Sequence, residues 1–221
     1  MTRSRHYIVA YIILSPLASL ACASTGGPSE TPNASGPDLE RLEALYRARA
    51  DSALMRVSDA DVHFMAGMIH HHAQAVVMSA LAPTNGASEA VRTLTARITN
   101  AQKDEIGLMQ RWLRDRGRPI PKVDPMGHMP ASPDMSMQMP GMLSQRQLRD
   151  LAQAQGQQYD RLFLTYMMQH HNGAVTMVHE LFATDGAAQD EFVFKLASDI
   201  QVDQTTEVAR MQQMLDALPS N

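Results

Sequence analysis

The sequence predicts an all-α chain: a four-helix bundle built from two repeated αα-hairpins, with an extra N-terminal helix and a Met-rich loop between the halves. Three observations predict it. Apolar residues recur at helical spacing, and no segment has the sustained period-2 alternation of β-branched residues that a strand needs. One long pattern occurs twice. Each copy is a helix pair too small to cover its own apolar faces, so the two copies must pack on each other.

Helical spacing runs over 38–55, 59–81, 88–116, 144–183 and 187–218. Ser58-Asp59-Ala60-Asp61 has the form of an N-cap with an acidic first turn, and Ser144-Gln145-Arg146-Gln147 that of a capping box. Pro83 with Asn85-Gly86, Gly117 with Pro119, and Asp185-Gly186 punctuate the ends. The repeat reads Asp61-x-x-Phe64-x-x-x-Met68-x-x-His71-His72-x-x-Ala75-x-x-Met78. It returns as Asp160-x-x-Phe163-x-x-x-Met167-x-x-His170-His171-x-x-Ala174-x-x-Met177, every position shifted by 99. Downstream, Gln102, Glu105, Ile106, Met109, Trp112 and Leu113 match Gln204, Glu207, Val208, Met211, Met214 and Leu215 at a shift of 102, so the second connection is three residues longer. An up-down-up-down bundle would run both repeat-leading helices the same way and put their His pairs at a similar height.

The amino terminus reads as an address. Arg3 and Arg5 precede an apolar run over 7–20 and a cluster of small residues, the form of a secretory signal over 1–23. Cys22 stands where a bacterial lipoprotein carries its acylated cysteine, after Ser19-Leu20-Ala21. A rival cut after Ala21-Cys22-Ala23 follows the A-x-A rule and removes the cysteine. Either route exports the chain, to the periplasm or to a membrane-anchored position facing it. Residues 24–37, rich in Ser, Thr, Pro and Gly, form a tether. The lead-in helix then occupies 38–57 and the duplicated bundle 58–218, divided into 58–116, a Met-rich linker 117–143, and 144–218.

Composition excludes several functions. The net charge is −4, with a pI near 6.1, and falls to −6 once Arg3 and Arg5 are removed. No basic face is available for nucleic acid. A single Cys excludes an internal disulfide framework and Cys-rich metal sites. There is no His-Glu-x-x-His, no phosphate-binding Walker loop, no G-x-S-x-G elbow, and neither repeat carries the Glu-x-x-His pair of a di-iron centre. The chain therefore reads as a non-enzyme. A cuprous oxidase is the enzymatic alternative and needs an open coordination position.

What stands out is 17 Met against 5 Phe, 5 Tyr and 1 Trp. Phe64, Met68, His71, His72, Ala75 and Met78 fall within an arc of roughly 120°, the stripe a bundle helix buries, with His63 and His70 on the solvated side. A Met stripe is ordinarily core, and Met78, Met109, Met177, Met211 and Met214 have that reading first. A buried His ordinarily bonds an acid or amide on the next helix; Gln102, Asp104, Glu105, Asp203 and Glu207 are the candidates. Two adjacent buried histidines, duplicated, are a costly core filling. Met68, His71 and His72, at i, i+3 and i+4, can point to one centre, as can Met167, His170 and His171. Nitrogen–sulfur sets of this kind suit copper.

The linker stretch 125–142 holds Met126, Met129, Met135, Met137, Met139 and Met142 with His128, four Pro and two Gly. Such a stretch forms neither a helix nor a central strand, so its thioethers have no evident core to enter. Neutral thioethers hold Cu(I) without a thiol and without releasing a proton. A sticky loop that docks on a partner is the rival reading. Together these features make an exported protein that binds copper, Cu(I) through Met and Cu(I) or Cu(II) through His, for sequestration, tolerance or delivery to a copper-trafficking protein. A metal-free envelope module, whose His pairs fix helix register, is the alternative from another class.

At the duplicated motif and the Met-Pro-Gly-Met segment before its second copy, the sequence resembles domain-of-unknown-function family 305, which includes CopM-like exported copper-binding proteins. The resemblance covers about 58–218. It implies a ferritin-like four-helix bundle and copper binding in the periplasm, with Met68, His71, His72, Met78, Met167, His170, His171 and Met177 as the matching site positions.

Overall fold

The computed structural model describes residues 37–54, 57–122 and 139–219. The signal, tether and Cys22, and the linker residues Met126, His128, Met129, Met135 and Met137, lie outside them. Six α-helices and no strand occur among the described residues: α1 (Pro37–Leu54), α2 (Asp59–Ala80), α3 (Glu89–Asp115), α4 (Gln145–Gln153), α5 (Gly156–Ala183) and α6 (Glu191–Asp216). None of them is long and apolar enough to cross a membrane. The chain divides at Ala44 and Leu45 into two units, and the first is described only in the opening turns of α1. Side chains 39–48 of α1 are exposed.

Local chemistry starts the helices. Ser58 Oγ accepts from Asp61 N at 3.0 Å while Asp61 Oδ2 accepts from Ser58 N at 2.9 Å, a reciprocal cap that satisfies two otherwise orphaned donors. Ser144 and Gln147 make the same box at the head of α4, and Asp190 accepts from Phe192 N and Val193 N at the head of α6.

One expected helix is two. The periodicity over 144–183 is broken after Gln153, and the cause comes from far away in sequence. Asn85, in the α2–α3 turn, donates through Nδ2 to the carbonyls of Leu151, Ala152 and Ala154 at 3.3, 3.0 and 2.8 Å. Its own carbonyl accepts from Gly156 N at 2.8 Å. The last carbonyls of α4 are thus taken by a side chain instead of by the next helical turn, and Gly156 absorbs the bend at φ +56°.

Helices α2 and α3 pack side by side, α5 and α6 likewise, and α2 faces α5. The direction of that central pair differs from the parallel one expected. Tyr159, at the start of α5, donates to Met78 O near the end of α2 at 3.1 Å, while Gly67 near the start of α2 lies beside Met177 near the end of α5. The leading helices are antiparallel. Short loops force each hairpin to reverse, but the intervening linker leaves the second hairpin free to turn over.

Asp61 and its counterpart Asp160 fasten this arrangement. Asp61 Oδ1 accepts from Ala188 N, in the α5–α6 turn, at 2.7 Å. Asp160 accepts from Ser88 N, in the α2–α3 turn, at 3.2 and 3.3 Å. Each hairpin's leading helix therefore holds the other hairpin's turn. Asp61→Ala leaves the half-buried Ala188 N and Ser58 N without acceptors and should cost about 2 kcal/mol in urea unfolding. Asp160→Ala, which strips one such donor, should cost less.

Candidate metal centre

The bundle has two apolar cores with a polar layer between them. One core joins Phe64, Met65 and Met68 of α2 to Met109, Trp112 and Leu113 of α3, with the carboxyl half of α5 and the amino half of α6. The other joins Ala75 and Met78 to Val91, Leu94 and Ile98, with Tyr159, Phe163 and Met167 of α5 and Met211 of α6. Between these sets each of the four helices carries a polar pair: His71 and His72, Gln102 and Glu105, His170 and His171, Gln204 and Glu207. The four imidazoles are fully buried.

His71 and His170 meet across the α2–α5 contact, with ring centroids 3.8 Å apart and planes tilted by 40°. His72 turns outward to α3, where its Nε2 stands 2.7 Å from Glu105 Oε2, at an angle that makes no hydrogen bond. His171 does the same toward α6 and hydrogen-bonds Glu207 Oε2 at 2.7 Å. Within each pair the rings diverge, with centroids 6.4 and 6.2 Å apart. The spacing allows each adjacent pair to point to one centre; in the fold the rings that meet are His71 and His170. Consecutive residues on a helix differ by about 100°, enough to send one ring to each neighbouring helix. The His pairs do share one height, because both sit where the antiparallel helices cross.

A short strap closes one side of the layer. Gly141, at φ +76°, lies against Gly173 of α5, where any Cβ would run into the Pro140 carbonyl. Gln74 holds the strap from the other side: its Oε1 accepts from Leu143 N at 2.8 Å and its Nε2 donates to Leu143 O at 3.2 Å. Pro140 O accepts from His71 Nε2 at 3.0 Å. A carbonyl can only accept, so the proton of His71 sits on Nε2 and the lone pair on Nδ1. The Glu207 carboxylate likewise fixes the proton of His171 on Nε2.

The remaining ring atoms have no protein partner. Nδ1 of His71, His72, His170 and His171, and Nε2 of His170, are buried without a hydrogen bond, and so are the Gln102 side-chain nitrogen and oxygen and the Gln204 oxygen. Each such group costs about 1–3 kcal/mol. Burial pushes His71 down to about 3, helped by His72 and His171 and opposed by the Pro140 hydrogen bond. Burial, and then the neighbouring histidines, hold His170 well below the usual histidine range. His171 is lowered by burial against the pull of Glu207. Nearby, burial and the carboxylates of Glu105, Glu207 and Asp199 raise Asp203.

This chemistry fits a soft or borderline cation: neutral imidazoles with free lone pairs, backed by carboxylate or carbonyl acceptors as the ligands of metal sites commonly are. Among the described residues no three His, Asp, Glu or Cys side chains are arranged to hold a metal ion, so a site built on these imidazoles needs donors of another kind. Thioethers are close at hand instead. Met68 and Met167 are fully buried, one helical turn before the His pairs; Met78 is buried in the second core. Met177, nearly buried, and Met139, partly buried, flank Gly67, and Met142 is partly buried in the strap. His63 is exposed as expected, but His70 is half-buried and lowered by burial. Sequence periodicity missed the Pro140 carbonyl and the Gly141–Gly173 contact; the available signal was a glycine inside the otherwise well-formed helical pattern at 173.

An all-helical bundle with a buried His layer is the class of protein these features define. The family profile described as domain of unknown function DUF305 matches residues 61–215, and the chain belongs to this family. Among solved structures it is similar to a DUF305 fragment from Deinococcus radiodurans, at 30% identity and a TM-score of 0.62, over 73% of this chain and 99% of that one. A DUF305 protein of Streptomyces coelicolor described as secreted matches at 29% identity and 0.60, over 71% and 92%. CopM in its Cu(II)-bound form matches at 29% and 0.56, over 71% and 95%, and its Cu(I)-bound form at 27% and 0.53. No curated protein matches the chain significantly.

The histidine layer makes stability depend on pH. An unfolded histidine takes up its proton near pH 6.5, whereas folded His71 does so near 3. Between these values the unfolded state binds more protons, so stability is complete above about pH 6.5 and is lost as pH falls toward 3. Urea midpoints of the metal-free protein should be flat above pH 7 and decline steadily below it. A midpoint that holds to pH 4 would contradict the burial of neutral His71 and His170.

Proposed function

We propose that the chain is an exported copper-binding protein. It takes Cu(I) through thioethers, and Cu(I) or Cu(II) through imidazoles, for sequestration, tolerance or handover. It acts as a binder and not as an enzyme. The observation that carries this reading is the set of buried Nδ1 atoms of His71, His72, His170 and His171, none with a protein partner. Pro140 O places the proton of His71, and Glu207 that of His171, on Nε2, which leaves the Nδ1 lone pairs of these two rings for a cation. The Cu(I)- and Cu(II)-bound states of CopM, a similar protein, support both oxidation states.

In this reading the halves are two copies of one helical hairpin, and the contact of His71 with His170 lies at their pseudo-twofold axis. The thioethers of Met68, Met78, Met167 and Met177 supplement the imidazoles. The linker thioethers Met126, Met129, Met135, Met137, Met139 and Met142, with His128, capture Cu(I) outside the bundle. For residues 126–137 that role rests on the sequence. Export follows from the signal at 1–23, with Cys22 as the lipid anchor, and a copper-trafficking protein receives the ion.

One observation favours the metal-free reading: the carboxylates beside His72 and His171 are what a register-setting polar layer would use. His170→Leu separates the two readings. Both ring nitrogens of His170 lack partners, so an apolar side chain of similar size should raise the stability of the metal-free protein by about 1–3 kcal/mol. It should also weaken Cu(I) in competition with a chromogenic chelator. A register module predicts a loss of stability and no change toward copper. In the same titration, failure of the intact protein to retain one equivalent of Cu(I) ends the copper reading. Changing the six linker methionines to Leu should remove linker binding while leaving the histidine sites.

A further inference from the structure

The two halves of the bundle differ where the sequence repeat would make them alike. Position 67 of the first copy is Gly and its counterpart, shifted by 99, is Tyr166; His63 likewise corresponds to Leu162. In the second half Leu162 and Tyr166 pack against the second apolar core. There they line a hollow of about 330 Å³ whose other walls, Asp150, Gln153, Ala154 and Gln158, bring neither thioether nor imidazole. In the first half Gly67 lies in the wall of a cavity of about 350 Å³ open to solvent. His63, Gly67, Met139, Pro140, Met177 and Glu180 are among its walls.

The glycine is not there for packing. A Cβ on Gly67 would lie 3.4 Å from Met177 Cε and 3.6 Å from Met139 Sδ, ordinary contact distances, and its backbone is helical. Glycine inside a helix is disfavoured relative to alanine. What its lack of a side chain achieves is to leave two thioethers facing free space, with the exposed imidazole of His63 one helical turn away and the Glu180 carboxylate on the rim.

We infer that this cavity is a second, solvent-facing binding site for a soft monovalent cation, Cu(I) or Ag(I). The thioethers of Met139 and Met177 and the imidazole of His63 are its donors, and Glu180 supplies compensating negative charge. Two neutral sulfurs and one imidazole select soft cations over the hard divalent ions that prefer oxygen. The inference rests on the soft-metal reading above and refines it: Met177 leaves the histidine set, and Met139 the linker set, to form a site of their own beside Gly67. Pro140 belongs both to the cavity wall and, through its carbonyl, to the hydrogen bond that sets the proton of His71. A cation in the cavity therefore sits beside the strap that covers the buried layer.

Ag(I) titrated into the full chain, with the ring resonances of His63 followed by NMR, tests the site. The expected result is a saturable shift of His63. Gly67→Tyr, which restores the residue of the other half, should abolish that shift and lower the silver bound at saturation by one equivalent. Met139→Leu with Met177→Leu, close in volume, should do the same with the melting temperature nearly unchanged, so a misfolded Gly67→Tyr would not leave the matter open. If silver binds and His63 does not respond, or if the Leu pair keeps the full complement, this site is overturned while the histidine layer stands. If the intact chain takes up no silver, the soft-metal reading itself falls.

Discussion

The rest of this structure depends on the burial of four imidazoles in a layer that splits the hydrophobic core in two. Neither apolar cluster crosses the level of His71, His72, His170 and His171. Every helix of the two hairpins gives up one turn of core to a polar residue at that level. A continuous core of the same length would bury more apolar surface and leave no orphaned donors or acceptors. Stability is offset elsewhere, through the reciprocal Asp61 and Asp160 ties and the Asn85 carbonyl clamp, both of which span the two hairpins.

The strap 139–143 has two duties that share one geometry. Gly141 and Gly173 allow backbone to touch backbone, which brings the Pro140 carbonyl over His71. That one hydrogen bond decides which nitrogen of His71 keeps its lone pair. It also anchors Met139 at the mouth of the Gly67 cavity. The strap runs over one face only, so a bundle written as a repeat has two unlike sides. One is lined by Leu162 and Tyr166; the other presents His63, Met139 and Met177.

Much of the candidate site was legible in the sequence, because the duplicated motif names its own residues. The 99-residue shift pointed to the four histidines and the buried methionines, and helical periodicity placed all of them on buried faces. Glu105 and Glu207 were among the acids expected beside the imidazoles. Less legible was which ring meets which. Spacing of i and i+1 states only that two rings leave a helix about 100° apart. Whether they converge depends on where the neighbouring helices lie.

The sequence by itself determined the helices, their caps, the repeat and the identity of the polar layer. These follow from local propensity and periodicity, which act over a few residues. Only the tertiary structure decided that α2 and α5 run antiparallel, that the helix over 144–183 breaks, and that His71 pairs with His170. Only it decided, too, that a glycine lies beside two thioethers in the wall of a cavity. The physical reason is common to all four. Each is set by a contact between residues far apart in the chain, such as Asn85 with the end of α4 or Gly141 with Gly173, and such contacts exist only once the hairpins have packed.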